Sequence, residues 1–162
     1  MKPMGVAMRS CYEMHQFLEI AMLRILLVLA ALLVLPAASR ADDIAAADRA
    51  EFQRIITDQI EAFRADDGAR AYSHAAPNIK LIFPTPEVFM SMVKQGYMPV
   101  YRPKSFKFSA TAIGPNGGPT QRVTIVGPDG KTYEALYSME RQPDGTWRIN
   151  GCALLEVPGL DV

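Results

Sequence analysis

The sequence has 162 residues, with 17 Lys and Arg against 17 Asp and Glu, so its formal net charge is zero. From residue 42 onward the 13 basic side chains are scattered among 15 acidic ones, which argues against the clustered basic surface of a nucleic-acid-binding protein. This length predicts one ordinary domain with a single hydrophobic core.

Residues 22–41 have the layout of a secretory signal peptide. Arg24 precedes an unbroken apolar run over residues 25–35, and Ser39 and Ala41 supply the small residues of a cleavage site. We therefore predict cleavage after Ala41 and export to the periplasm or the medium. An uncleaved membrane anchor is the alternative, but the apolar run is shorter than the roughly 20 residues that a spanning helix needs.

Residues 1–21 do not resemble part of that signal. Met22 opens a complete signal peptide by itself, so we predict that translation starts there; a long segment before the apolar run is the alternative. Cleavage would remove Cys11 and leave Cys152 alone, which excludes an intrachain disulfide scaffold. No cysteine follows the cleavage site directly, so we expect residues 42–162 to form one domain that is not attached to a membrane.

Three helices are predicted in the first half of this domain. Apolar residues recur at steps of three and four between residues 45 and 64. Asp48 and Glu51 resemble a capping box, although Asp42 or Asp43 could cap an earlier start. A short alanine-rich helix is predicted over residues 69–75, ending before a proline. The third helix starts at Thr85, which precedes a proline and an acidic residue, and runs to residue 95.

After residue 103 the period of the apolar pattern changes to two, which is typical of β-strands. Turn-forming clusters at residues 114–119, 127–130 and 143–145 separate four such segments. Gly151 within the last segment predicts a bulge or bend. The sequence therefore predicts the α+β class, with three N-terminal helices packed on a curved antiparallel four-stranded sheet that encloses a cone-shaped cavity.

Several local motifs carry a family resemblance. They are Phe63-x-x-Asp66-Asp67, Thr85-Pro86-Glu87, Gly96-Tyr97-x-Pro99-Val100-Tyr101-Arg102-Pro103 and Asp144-Gly145-x-Trp147-Arg148-Ile149-Asn150-Gly151-Cys152. The sequence resembles the bacterial domain-of-unknown-function family 4864 over nearly all of residues 48–157. The order of its elements resembles the nuclear transport factor 2-like, or cystatin-like, fold. The resemblance implies export and this fold, but it supplies no activity, ligand or catalytic residue.

Polar candidates for chemistry are few. His74 is the only histidine after residue 41, so neither a histidine-rich nor a two-histidine metal site can form. We expect no metal site, and His74 is either a general base or a surface or capping residue. Asp66 and Asp67 are either carboxylates at the mouth of the cavity or simple caps of a helix end. In the first case Tyr101, Tyr133 or Tyr137 would complete the site.

Cys152 is either a reactive thiol or, as we favour, a small buried apolar residue, because no partner that would lower its pKa lies nearby in sequence. Aromatic walls with a few polar tips suit a small apolar ligand, but such residues serve equally as core and dimer contacts. The side chains concerned are Tyr97, Tyr101, Arg102, Phe106, Tyr133, Tyr137 and Trp147.

The sequence contains neither a glycine-rich phosphate loop nor a nucleophile elbow, and we expect no cofactor. We predict an exported binding or structural module that forms a homodimer through the open face of its sheet. The alternative is a small-molecule enzyme that uses a pocket carboxylate and a tyrosine. An enzyme needs at least two polar groups converging inside the cavity, which distinguishes the two hypotheses.

Overall fold

The structure is a computed structural model that describes residues 44–157. The predicted signal peptide, its cleavage site and the predicted start at Met22 lie outside the described residues. No helix within residues 44–157 is both long enough and apolar enough to cross a membrane.

Five helices occupy the first half of the described chain. They are α1 (Ala46–Arg64), α2 (Gly68–Ser73), α3 (Pro77–Ile82), α4 (Pro86–Gly96) and α5 (Met98–Tyr101). The three predicted helices correspond to α1, α2 and α4, and the prediction missed the short helices α3 and α5. Both of these have a proline in their first turn, where the missing N–H is not needed, so proline starts a helix there.

The predicted start of α4 is confirmed, because the Thr85 hydroxyl accepts a hydrogen bond from the Val88 backbone N–H. The predicted capping box at the start of α1 is wrong. The N-cap is Ala45, which supplies no side-chain bond, and Glu51 instead pairs with Arg54 in the next turn.

Four strands form one antiparallel sheet in the order β1 (Ser105–Ile113), β2 (Pro119–Val126), β3 (Thr132–Arg141) and β4 (Trp147–Glu156). This confirms the predicted α+β class and the meander. Gly130 and Gly145, in two of the connecting turns, have φ angles of 87° and 84°, a left-handed conformation that glycine adopts without strain.

The predicted irregularity at Gly151 is confirmed. Ser138 pairs with Gly151, whereas Met139 pairs with Ile149, so β4 carries an extra residue at this point. Just before the bulge, Ile149 also forms backbone hydrogen bonds on the edge of β4 that faces away from β3. Its N–H donates to His74 O, and its carbonyl accepts from the Ala76 N–H, both at 2.9 Å. The segment after α2 therefore covers the beginning of this edge strand.

The core lies between α1 and one face of the sheet. Buried residues of α1 recur on one stripe and meet the alternate residues of β2 and β3 that point inward. The largest fully buried side chains, in chain order, are Phe52, Ile55, Ile56, Ile60, Phe63, Gln121, Val123, Ile125 and Tyr137. Two of these nine, Gln121 and Tyr137, carry polar groups, and a third buried polar side chain, Gln59, lies on α1.

Candidate functional site

A cavity of about 210 Å³ lies between the helices and the sheet. Its walls come from α1, α3, α4, α5, β3 and β4. Most of the lining is apolar or aromatic, including Phe63, Phe89, Val93, Val100 and Ile149. Such a concave, mostly apolar site with a few polar groups is the usual form of a small-molecule site.

The outer part of this wall is formed by α3. Ile79 and Phe83 line the cavity and are half-buried, whereas Leu81 on the same short helix is 81% exposed. The end of α3 is held by the Tyr72 hydroxyl, which donates a hydrogen bond of 2.6 Å to the Phe83 carbonyl. One side of α3 therefore faces the cavity and the other faces solvent.

Gln59 supplies a polar group to the cavity from the middle of α1. Its side chain is only 4% exposed, and its amide nitrogen donates a hydrogen bond of 3.2 Å to the carbonyl of Ala71 in α2. This bond orients the carboxamide, since only the nitrogen can donate to a carbonyl. The side-chain oxygen accepts no hydrogen bond from the described residues.

Tyr137 and Cys152 are paired across β3 and β4 and both line the cavity. The Tyr137 side chain is 1% exposed, and its hydroxyl has no hydrogen-bonding nitrogen or oxygen among the described residues. Burial raises the pKa of Tyr137 well above its usual value. Burial also raises the pKa of Cys152 to about 12, although contact with the Tyr137 hydroxyl opposes this shift. Both groups are therefore neutral at physiological pH.

Tyr97 is the remaining polar group of the lining. It lies between α4 and α5, and its hydroxyl donates a hydrogen bond of 3.0 Å to the Cys152 backbone carbonyl. This bond ties the helical layer to β4 near the bulge. Burial raises the pKa of Tyr97 as well.

Asp66 does not line this cavity. It sits at the end of α1 with a φ of 57°, and its carboxylate accepts a hydrogen bond from the Tyr101 hydroxyl. Arg102 Nη2 lies 2.5 Å from the same carboxylate, and Lys94 Nζ lies 3.4 Å from it. The hydrogen bond from Tyr101, followed by the two cations, holds the pKa of Asp66 below its usual value. The structure brings Asp66 and Tyr101 together, but outside the cavity.

Asp67 caps α2, since its carboxylate accepts a hydrogen bond from the Arg70 N–H at 3.0 Å. His74 also lies outside the cavity lining. Its Nε2 is 2.5 Å from Asp58 Oδ2, and Arg70 forms an ion pair with the same carboxylate. The hydrogen bonds from Arg70 and His74 hold the pKa of Asp58 far below its usual value.

Tyr133 and Trp147 lie elsewhere on the sheet. The Tyr133 hydroxyl donates to Asp129 in the preceding turn at 2.7 Å, and Trp147 packs on the first turns of α1. Of the eight residues singled out for a pocket, Tyr137 and Cys152 therefore line the cavity. The other six do not line it: Asp66, Asp67, His74, Tyr101, Tyr133 and Trp147.

Sequence reasoning missed Gln59. It lies three residues after Ile56 and four before Phe63, on the apolar stripe of α1. A polar side chain at such a position is the signal that would have found it, because buried polar groups are uncommon and need partners. Within residues 44–157, no three His, Cys, Asp or Glu residues are grouped so that they could hold a metal ion.

Comparison with known proteins gives one match. The sequence profile of the family described as Domain of unknown function (DUF4864) matches residues 45–162. No curated protein and no solved structure is significantly similar to this chain. The resemblance to the nuclear transport factor 2-like fold stays a prediction.

Proposed function

Since the chain belongs to the DUF4864 family, a domain of unknown function, we propose an activity from the site itself: the domain binds a small, mostly apolar molecule in its cavity. The observation that carries this proposal is the unfilled space of about 210 Å³ between apolar walls. The apolar side chains that line this space are left partly in contact with water, and a ligand that fills it would remove that apolar surface from water.

The size of the cavity suits a ligand of about one ring. In another protein, an apolar cavity of about 150 Å³ takes up benzene. Transfer of such a molecule from water to apolar walls is favourable in proportion to the apolar area removed from water. The larger cavity here would accommodate a substituted ring or a short branched chain.

The geometry favours binding over catalysis. The carboxylate considered for catalysis, Asp66, is bonded to Tyr101 and Arg102 outside the cavity. Cys152 lines the cavity, but its raised pKa keeps the thiol protonated, and a thiol is a far weaker nucleophile than a thiolate. Within the part of the chain that the structure describes, no pair of a nucleophile and a base therefore converges on the cavity.

The proposal includes export and self-association. We propose that the domain acts after cleavage at Ala41, in the periplasm or outside the cell. We also propose a homodimer through the face of the sheet away from α1, where Leu155 is 51% exposed. Sedimentation equilibrium would test the dimer, and a monomer at all concentrations up to about 100 μM would contradict it.

Binding can be tested with p-xylene as an apolar probe, using titration calorimetry. We expect saturable binding to the purified protein with one site. Replacing Ile79 with Trp, which would fill the outer part of the cavity, should abolish it. The matched control is Leu81→Trp, which adds the same indole on the exposed side of the same helix. If p-xylene does not bind, or if both variants bind it as well as the wild type does, the proposed function is wrong.

A further inference from the structure

We infer that the ligand is a neutral molecule whose hydroxyl group, or equivalent N–H donor, binds the side-chain oxygen of Gln59. This inference rests on the proposed function, because it identifies the class of ligand that the same cavity takes. It follows from three features of the cavity: one open hydrogen-bond acceptor, no ionised group, and room for about one substituted ring.

The open acceptor becomes clear when the two buried glutamines are compared. Gln121 on β2 is 0% exposed and fully bonded: its side-chain oxygen accepts from the Thr111 hydroxyl at 2.7 Å. Its nitrogen donates to the carbonyls of Ser109 and Arg122 at 3.0 and 2.9 Å. This glutamine fills the irregularity in β1 and has a structural role.

Gln59 is buried to a similar extent but makes only the bond from its nitrogen to Ala71. Its oxygen is left without a donor at a position that lines the cavity. Unlike the Tyr137 hydroxyl, this oxygen is not shut off from water, so it is accessible to a donor that enters the cavity. A donor brought by the ligand would supply the missing bond.

The other polar groups of the lining leave no second recognition point that is as open. The Tyr97 hydroxyl already donates to Cys152 O. The Tyr137 hydroxyl is fully buried in the wall beside the Cys152 thiol. Gln59 is thus the polar group best placed to select among ligands of similar shape.

The cavity also selects against charge. Among residues 44–157, no Asp, Glu, Lys, Arg or His lines it, so an ionised ligand would lose its hydration without gaining an ion pair. The raised pKa values of Cys152 and Tyr137 mean that the lining stays neutral at physiological pH. The ligand class is therefore a small phenol or alcohol, or a neutral N–H donor of the same size.

Three probes of matched shape test this inference: p-cresol, p-xylene and p-toluate, which present a hydroxyl, a methyl and a carboxylate at the same ring position. We expect p-cresol to bind the wild-type protein about tenfold more tightly than p-xylene, as one hydrogen bond to an otherwise unpaired group would give. We expect no measurable binding of p-toluate.

The variant Gln59→Met keeps the approximate volume of the side chain and removes its acceptor, together with the hydrogen bond to Ala71 O. It should bind p-cresol and p-xylene with nearly equal affinity while retaining p-xylene binding, which shows that the cavity is intact. The matched control is Gln53→Met on the same helix, whose side chain does not line the cavity and which should keep the tenfold preference.

Equal binding of p-cresol and p-xylene by the wild type would overturn the inference and leave the proposed function standing. So would a preference that survives in Gln59→Met, or binding of p-toluate that is tighter than that of p-xylene. Failure of all three probes would overturn the proposed function together with the inference. If Gln59→Met does not fold, the comparison of the three probes on the wild-type protein still decides.

Discussion

The indole nitrogen of Trp147 donates a hydrogen bond of 2.9 Å to Asp48 Oδ1, which joins the start of β4 to the first turn of α1. One turn further along α1, the ring of Phe52 meets the indole edge to face, with ring centroids 4.8 Å apart. These two contacts fix the N-terminal end of α1 on the edge of the sheet. The indole is half-buried and lies away from the cavity.

The Trp147 contacts predict a stability cost without loss of the cavity. Trp147→Ala should lower the free energy of unfolding by about 2 to 4 kcal/mol, below the largest values for buried aromatics because part of the ring is exposed. Trp147→Phe should cost less, since it keeps an aromatic ring against Phe52 while losing the hydrogen bond to Asp48 and part of the buried indole surface. Urea unfolding measures both. A Trp147→Ala midpoint equal to that of the wild type would contradict a structural role for this residue.

The unpartnered hydroxyl of Tyr137 predicts a variant that is not destabilised. Tyr137→Phe removes a buried polar atom that has no hydrogen-bonding nitrogen or oxygen, so the free energy of unfolding should stay the same or rise by about 1 kcal/mol. Thermal and urea unfolding test this. The control is Tyr97→Phe, which removes a hydroxyl bonded to Cys152 O and should destabilise by about 1 kcal/mol. Destabilisation of Tyr137→Phe to the same extent would reveal a partner for its hydroxyl.

The raised pKa of Cys152 predicts that its thiol reacts slowly with thiol reagents. At pH 8 the thiol should react with a disulfide reagent far more slowly in the folded protein than in denaturant, because burial holds its pKa at about 12. The sign of the pH effect on stability follows. In the unfolded chain the thiol ionises near its usual value, while in the folded protein it stays neutral, so stability should fall as the pH rises from about 9 towards 12. Equal labelling rates in the two states would contradict the burial of the thiol.

The Asp58 carboxylate is paired with Arg70 and His74, which predicts that the free energy of unfolding falls at acidic pH. Its pKa in the folded protein lies well below the unfolded value, so the stabilisation is present above about pH 4 and is lost as the pH falls below it. Because the group is partly exposed, the effect at pH 7 should be no more than about 1 kcal/mol.

Asp58→Asn removes this carboxylate and serves as the measurement. Its free energy of unfolding should be lower than that of the wild type at pH 7, and the difference should shrink at pH 3. Glu61→Gln provides the control, because Glu61 is exposed on the same helix and pairs with Arg64 rather than with this cluster. A difference between Asp58→Asn and the wild type that is the same at both pH values would show that the ion pair does not cause it.

The sequence by itself determined the class of the fold, because that information is local. A period of three to four residues over α1 and a period of two after residue 103 reflect which side chains must leave water. The start of α4 at Thr85 and the turns at Gly130 and Gly145 depend only on backbone chemistry within a few residues. The same local reasoning located the bulge at Gly151.

Only the tertiary structure decided which polar groups share the cavity. Asp66 and Tyr101 are 35 residues apart, and the left-handed turn at Asp66 directs them to each other outside the cavity. Gln59 reaches the cavity because the Ala71 carbonyl in α2 accepts a hydrogen bond from its amide nitrogen, and residues of β3 and β4 line the same cavity. Such placements depend on how whole elements pack against each other. The hydrophobic period brings those elements together, but it does not specify which polar side chain on the buried stripe will face the cavity.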